Sequence, residues 1–115
     1  MSKANNYIDY IEFSVKRVEE LNRVKDFFTR VFGWSCQQWG DDYADTKGSG
    51  VGSGINAKDS ATASLPVIYV ADIQATYNEV KVTGAPVAKE IFDFPGGKRF
   101  HFQDPAGNEL AAWSE

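Results

Sequence analysis

The spacing of apolar residues changes period along this chain, and each change predicts an element. Ile11, Phe13 and Val15 alternate with Tyr10, Glu12 and Ser14, the period of a strand with one apolar and one polar face. From Val18 the apolar positions recur at three and four: Leu21, Val24, Phe28, then Val31 or Phe32. Glu19, Glu20, Arg23, Lys25 and Arg30 lie between them, so an amphipathic helix is expected, ended by Gly33. Trp34–Trp39 reads as a strand and Asp41-Asp42 as a turn. Lys47–Gly54, rich in glycine and serine, reads as a weak edge strand with turns, and Lys58–Ser64 as a linker.

The second half repeats the order. Val67–Val70 is a short apolar strand, and Asp72 is placed to cap a helix carrying Ile73, Tyr77 and Val80 on one face up to Gly84. Pro86–Ile91 follows as a strand and Pro95-Gly96-Gly97 as a turn. Arg99, His101 and Gln103 then alternate with Phe100 and Phe102, and Glu109, Ala111 and Trp113 with Leu110 and Ala112. The intervening Asp-Pro-Ala-Gly-Asn supplies turn residues, so the C-terminal stretch is expected to be a hairpin. Strand, helix, glycine, strands thus occurs twice, with four residues more in the first helix region (15 to 33 against 70 to 84), about one helical turn. Two divergent copies imply two small βαβββ modules.

Composition narrows the function classes. The 115 residues carry a net charge of −4, with no basic cluster, which disfavours a phosphate-backbone partner, so no nucleic acid is expected. One cysteine, Cys36, rules out an internal disulfide and any Cys-x-x-Cys motif. A cytoplasmic location is expected from that and from the polar Ser-Lys-Ala-Asn-Asn after Met1; no apolar run approaches membrane-spanning length, so no membrane association is expected. The glycine-rich segment lacks the Gly-Lys-Ser/Thr ending of a phosphate-binding loop.

Ile-Glu-Phe-Ser-Val at 11–15, Phe27-Phe28 followed by Val31-Phe32-Gly33-Trp34, Tyr69-Val70-Ala71-Asp72-Ile73, and Asp104-Pro105-Ala106-Gly107-Asn108 together resemble the glyoxalase / bleomycin-resistance / extradiol-dioxygenase family of the vicinal oxygen chelate superfamily. The resemblance covers nearly the whole chain. It implies an α+β fold, two βαβββ modules (about 7–57 and 65–115) forming an open curved mixed sheet with helices on the outer face, and by analogy a homodimer. In metal-dependent members a histidine or carboxylate sits near the start of each module's first strand and on its last strand. Those positions match Tyr10, about Gly54, Leu65 and Ala111, none a usual ligand. The resemblance therefore implies a member without the customary metal site and without a cofactor.

The expected small-molecule cleft draws Tyr10, Glu12 and Ser14 from one strand and Tyr69 from its counterpart. The closing hairpin adds Arg99, His101, Gln103, Glu109 and Trp113. Glu12 can pair with Arg99, clamp a ligand, or act as a general base, and His101 is either a packed strand residue or a proton shuttle. These two are the catalytic candidates. Trp34 and Trp39 are weighed between core and site, and Cys36 is expected to be an inert thiol. The leading expectation is binding of a small, partly aromatic, neutral or cationic molecule. The alternative is a metal-dependent lyase, isomerase or dioxygenase of the glyoxalase type that uses Glu12 as base or ligand and His101 as partner, an unusual three-ligand site at Glu12, His101 and Glu109 being the exception to a metal-free reading; a subunit that only mediates association is a third.

Overall fold

In the computed structural model, residues 4–58 and 63–115 are described. The chain is α+β. Strands β1 (Tyr7–Ser14), β2 (Ser35–Trp39), β3 (Tyr43–Lys47), β4 (Gly52–Asn56), β5 (Leu65–Tyr69), β6 (Val87–Phe94), β7 (Gly97–Gln103) and β8 (Glu109–Ser114) accompany helices α1 (Val18–Phe32) and α2 (Ile73–Thr83). The strands of the first half are ordered β2-β3-β4-β1 and those of the second half β5-β8-β7-β6, and each set is mixed. Two compact units divide the chain, one from Tyr10 to Leu65 and the other from Pro66 to Glu115 together with residues up to Asp9.

Each unit has the βαβββ order. In the first, β1 runs parallel to β4, with Glu12 opposite Gly54, and β3 pairs antiparallel with both β4 and β2. In the second, β5 runs parallel to β8, Val67 opposite Ala111, and β7 pairs antiparallel with both β8 and β6. The same pairing scheme in both is the structural form of the repeat visible in the sequence.

Helix α1 begins after an extended Arg17 with no side-chain cap, while Glu20 Oε1 reaches back to the Lys16 N–H at 2.8 Å and places negative charge at the helix start. Gly33 ends it in the left-handed region at φ 74°, its N–H donating to Thr29 O at 3.0 Å. Asp72 caps α2 as expected, accepting the Ala75 N–H at 3.0 Å. The core of the first unit is Leu21, Ala44, Ile55 and Val15, with Phe13, Val24, Phe28 and Cys36 packed on it. That of the second is Phe100, Val70, Ile73 and Ala112, with Tyr77, Val80 and Phe102 around it.

Two sequence expectations are corrected. Helix α1 buries neither Val31 nor Phe32; both are exposed, because the apolar stripe turns off the sheet beyond Phe28 and Trp34 closes that end by stacking on Phe28 at 4.7 Å. The glycine-serine segment does not form an edge: it yields β4, an inner strand hydrogen-bonded on both sides, with Ser53, Gly54, Ile55 and Asn56 all buried. Low side-chain volume there is used for close approach of neighbouring side chains. Of the expected linker, residues 59–62 lie outside the described residues.

Candidate functional site

Alternation along β1 puts Phe13 and Val15 into the core and Tyr10 and Glu12 on the opposite face. On that face Gly54 is the centre. Register places Glu12 of β1 on one side of it and Asp45 of β3 on the other. The space a side chain would occupy is filled by two tyrosine rings: a Cβ built on Gly54 would lie 2.1 Å from Tyr10 Oη and 2.5 Å from Tyr43 Oη.

The hydroxyls form a continuous chain with the two carboxylates. Tyr10 Oη lies 2.8 Å from Asp45 Oδ1, the two hydroxyls are 2.6 Å apart, and Tyr43 Oη lies 3.2 Å from Glu12 Oε2, each hydroxyl able to donate to its carboxylate or to the other hydroxyl. Each carboxylate is fixed at its other oxygen. Asn56 Nδ2 donates to Glu12 Oε1 at 3.1 Å, its amide orientation set by the Lys58 N–H on Oδ1. Trp39 Nε1 donates to Asp45 Oδ2 at 2.9 Å. Burial, then the neighbouring Tyr43, push the Tyr10 hydroxyl far above its ordinary value; burial and then the Glu12 charge do the same to Tyr43. Both phenols therefore stay protonated and act as neutral donor–acceptors at neutral pH.

In the second unit, β7 carries Arg99 and His101 on the face opposite Phe100, and β8 brings Glu109 beside them. Arg99 Nε donates to His101 Nε2 at 3.0 Å and His101 Nδ1 lies 2.8 Å from Glu109 Oε2. A guanidinium only donates, so Nε2 is the imidazole acceptor and Nδ1 carries the proton toward Glu109. The contact with Glu109 is thus a hydrogen bond from a neutral ring. Burial lowers the His101 pKa, with the Arg99 and Lys89 charges adding to that and the bond to Glu109 opposing it. Phe92 flanks the ring at 5.9 Å between centroids and also faces Arg99 and Lys89.

A pH prediction follows. The folded chain keeps His101 neutral where the unfolded chain takes up a proton near pH 6.5. Its contribution to stability is full above that value and is lost as pH falls toward the depressed folded value. Urea midpoints taken from pH 7.5 to 5 are expected to fall less in His101→Gln than in the parent; identical slopes would refute the assignment.

Of the residues expected at the site, Tyr10 and Glu12 meet in the first unit, and Arg99, His101 and Glu109 meet in the second. Ser14 instead donates to Ala63 O at 3.1 Å. Tyr69 packs edge-on against Trp113 at 5.2 Å, and the Trp113 indole N–H donates to Asp9 at 3.0 Å, tying the start of β1 to β8. Gln103 takes part through its backbone N–H, which donates to Pro86 O. Trp34 is a packing residue, whereas Trp39 is exposed and holds Asp45. Cys36 packs against the core of its unit, and burial pushes its thiol up, away from nucleophile character. Tyr43, Asp45 and Asn56 are site residues that sequence reasoning missed. Tyr43 and Asp45 do alternate with Ala44 and Thr46, but a polar Thr46 on the core side masks the period.

The four positions matched to coordinating residues offer no imidazole or carboxylate. The Tyr10 hydroxyl is bonded within the chain above, Gly54 has no space beside it, and Leu65 and Ala111 are buried apolar residues. Among the described residues no group of three or more His, Cys, Asp or Glu is placed to hold a metal ion. Among the described residues no helix is long and apolar enough to cross a membrane.

A family model described as "Glyoxalase/Bleomycin resistance protein/Dioxygenase superfamily" matches residues 7–112, and the chain belongs to that superfamily. No curated protein matches it. Among solved structures it resembles a glyoxalase/bleomycin resistance protein/dioxygenase superfamily member from Vibrio splendidus 12B01 (TM-score 0.69, 18% identity, 92% of this chain and 97% of that one). It also resembles the Mn(II)-bound glyoxalase from Novosphingobium aromaticivorans (TM-score 0.71, 22% identity, 96% of this chain), of which it spans only 39%. Methylmalonyl-CoA epimerase from Mycobacterium tuberculosis is a third (TM-score 0.64, 11% identity, 99% of this chain and 92% of that one). At these identities the likeness establishes fold, and activity has to be argued from the residues.

Proposed function

We propose that this protein binds a small organic molecule on the polar face of its sheet, without the customary metal of its superfamily and without a cofactor. The observation that carries this reading is the filled corner at Gly54, where two tyrosine hydroxyls take the volume that a coordinating side chain would need. The state of His101 supports it: with Arg99 on Nε2 and Glu109 at Nδ1, no imidazole lone pair points away from its protein partners. Flat aromatic surface at Tyr10, Tyr43 and Trp39, beside a few fixed polar groups, has the composition of a small-molecule site. With a chain charge of −4, neutral and cationic aromatic compounds are the class to test first.

Metal analysis of the purified protein is expected to find no stoichiometric transition metal, and a thermal-shift screen to find aromatic or cationic stabilisers. A ligand at a hundredfold its Kd adds about 2.7 kcal/mol. Stoichiometric metal, or a broad screen without a stabiliser, overturns the proposal. A glyoxalase-type enzyme is the second reading, favoured by one feature: a buried carboxylate, Glu12, oriented by Asn56 and Tyr43 as a general base has to be. Turnover of methylglyoxal with glutathione, or of a catechol, with added divalent metal and loss in Glu12→Gln, would replace the first reading with it. A single domain of two modules, a homodimer and a cytoplasmic location belong to the same proposal; light scattering showing a monomer would remove the dimer.

A further inference from the structure

The chain Glu12–Tyr43–Tyr10–Asp45 has three hydrogen-bond contacts and, with both carboxylates ionised, only two hydroxyl protons to fill them. Two polarities exist. Tyr43 donates to Tyr10 and Tyr10 to Asp45, or Tyr10 donates to Tyr43 and Tyr43 to Glu12. A hydroxyl pair 2.6 Å apart requires a proton between the oxygens, so the two hydroxyls turn together. The ends differ in access. Glu12 is 3% exposed, whereas Asp45 is half-buried beside the 56% exposed Trp39. Asn56 and Trp39 pin the outer oxygen of each carboxylate, aiming Glu12 Oε2 and Asp45 Oδ1 at the tyrosines.

From this geometry we propose that Glu12, Tyr43, Tyr10 and Asp45 form a proton relay joining a buried carboxylate to one that exchanges with water. A proton delivered to Glu12 by an acidic group of a bound molecule, or by water, is donated from Oε2 to Tyr43 Oη. The Tyr43 proton crosses to Tyr10 Oη, the Tyr10 proton to Asp45 Oδ1, and Asp45 releases it to solvent. One proton enters and one leaves; rotation of the two hydroxyls restores the starting polarity. The strongly raised hydroxyl pKa values mean that each oxygen gains a proton as it gives one up, so no phenolate accumulates. Gly54 is the structural condition for the relay, since a side chain there would part the hydroxyls. The relay goes beyond the binding reading and does not depend on which molecule binds.

The test is water exchange of the Tyr10 and Tyr43 hydroxyl protons, followed by NMR on the intact chain. Asp45→Asn keeps an acceptor for Tyr10 but removes the group that sheds the proton. The Tyr43 hydroxyl, which does not touch residue 45, is expected to exchange about tenfold or more slowly in that variant, a barrier rise of about 1.4 kcal/mol. Tyr10→Phe, which cuts the chain while leaving Asp45, is expected to slow Tyr43 likewise and carries the test should Asp45→Asn fail to fold. An unchanged Tyr43 rate in a folded variant overturns the relay, as does parent exchange too fast to observe, which would mean water reaches each hydroxyl directly.

Discussion

Phe100→Ala is expected to destabilise the protein by about 3–5 kcal/mol, the cost of removing a large core aromatic where neighbours cannot fully close the gap. Phe100 has no exposed surface. Its ring packs edge-on to Tyr77 of α2 at 5.3 Å and lies 5.5 Å from Phe102, within the cluster that also holds Val70, Ile73 and Ala112. It stands in the middle of β7, hydrogen-bonded to β8 opposite Ala112, so backbone collapse into the cavity would break sheet pairing. The loss also reaches the chemistry, because His101 is the next residue and is aimed at Glu109 by the same strand. Urea unfolding should show a lower midpoint at similar slope. A loss below about 1 kcal/mol would mean that the site collapses without cost and that the packing described is wrong.

That the same residue was legible as core from sequence shows where pattern reasoning works. Phe100 and Phe102 alternate with Arg99, His101 and Gln103, and the strand uses the two faces as written, even though His101 is itself nearly fully buried. The glycines at 33 and 84 end their helices in the left-handed region, as residues without a Cβ are placed to do. What was not legible depended on pairing. The segment Gly52–Asn56 has neither apolar alternation nor β-branched density, and its status as an inner strand arises from its partners β1 and β3. The tyrosine–carboxylate chain was half visible for the same reason. Tyr10 and Glu12 share one strand and one face, but Tyr43 and Asp45 lie 31 to 35 residues away in sequence, and only the register through Gly54 brings them together.

Gly54→Ala is expected to cost about 2–4 kcal/mol, more than the few tenths to 1 kcal/mol normal for glycine and alanine differences in a strand. The added methyl would lie 2.1 Å from Tyr10 Oη, 2.5 Å from Tyr43 Oη and 2.9 Å from Tyr43 Cζ. Neither ring can yield cheaply. Tyr10 is bonded to Asp45 and Tyr43 to Glu12, and β4 itself is hydrogen-bonded to strands on both sides. Relief requires swinging at least one tyrosine out, which leaves a partly buried carboxylate without its hydroxyl donor. The origin of the cost is separable by a double-mutant cycle. Tyr10→Phe removes the nearest atom, so Gly54→Ala should cost at least about 1 kcal/mol less in the Tyr10→Phe background than in the parent, a coupling typical of residues in contact. Additive losses would place the penalty in the strand backbone and leave the hydroxyl pair uninvolved. A coupled loss, together with slower water exchange of the Tyr43 hydroxyl in Gly54→Ala, would tie the missing side chain at this position to continuity of the proton path.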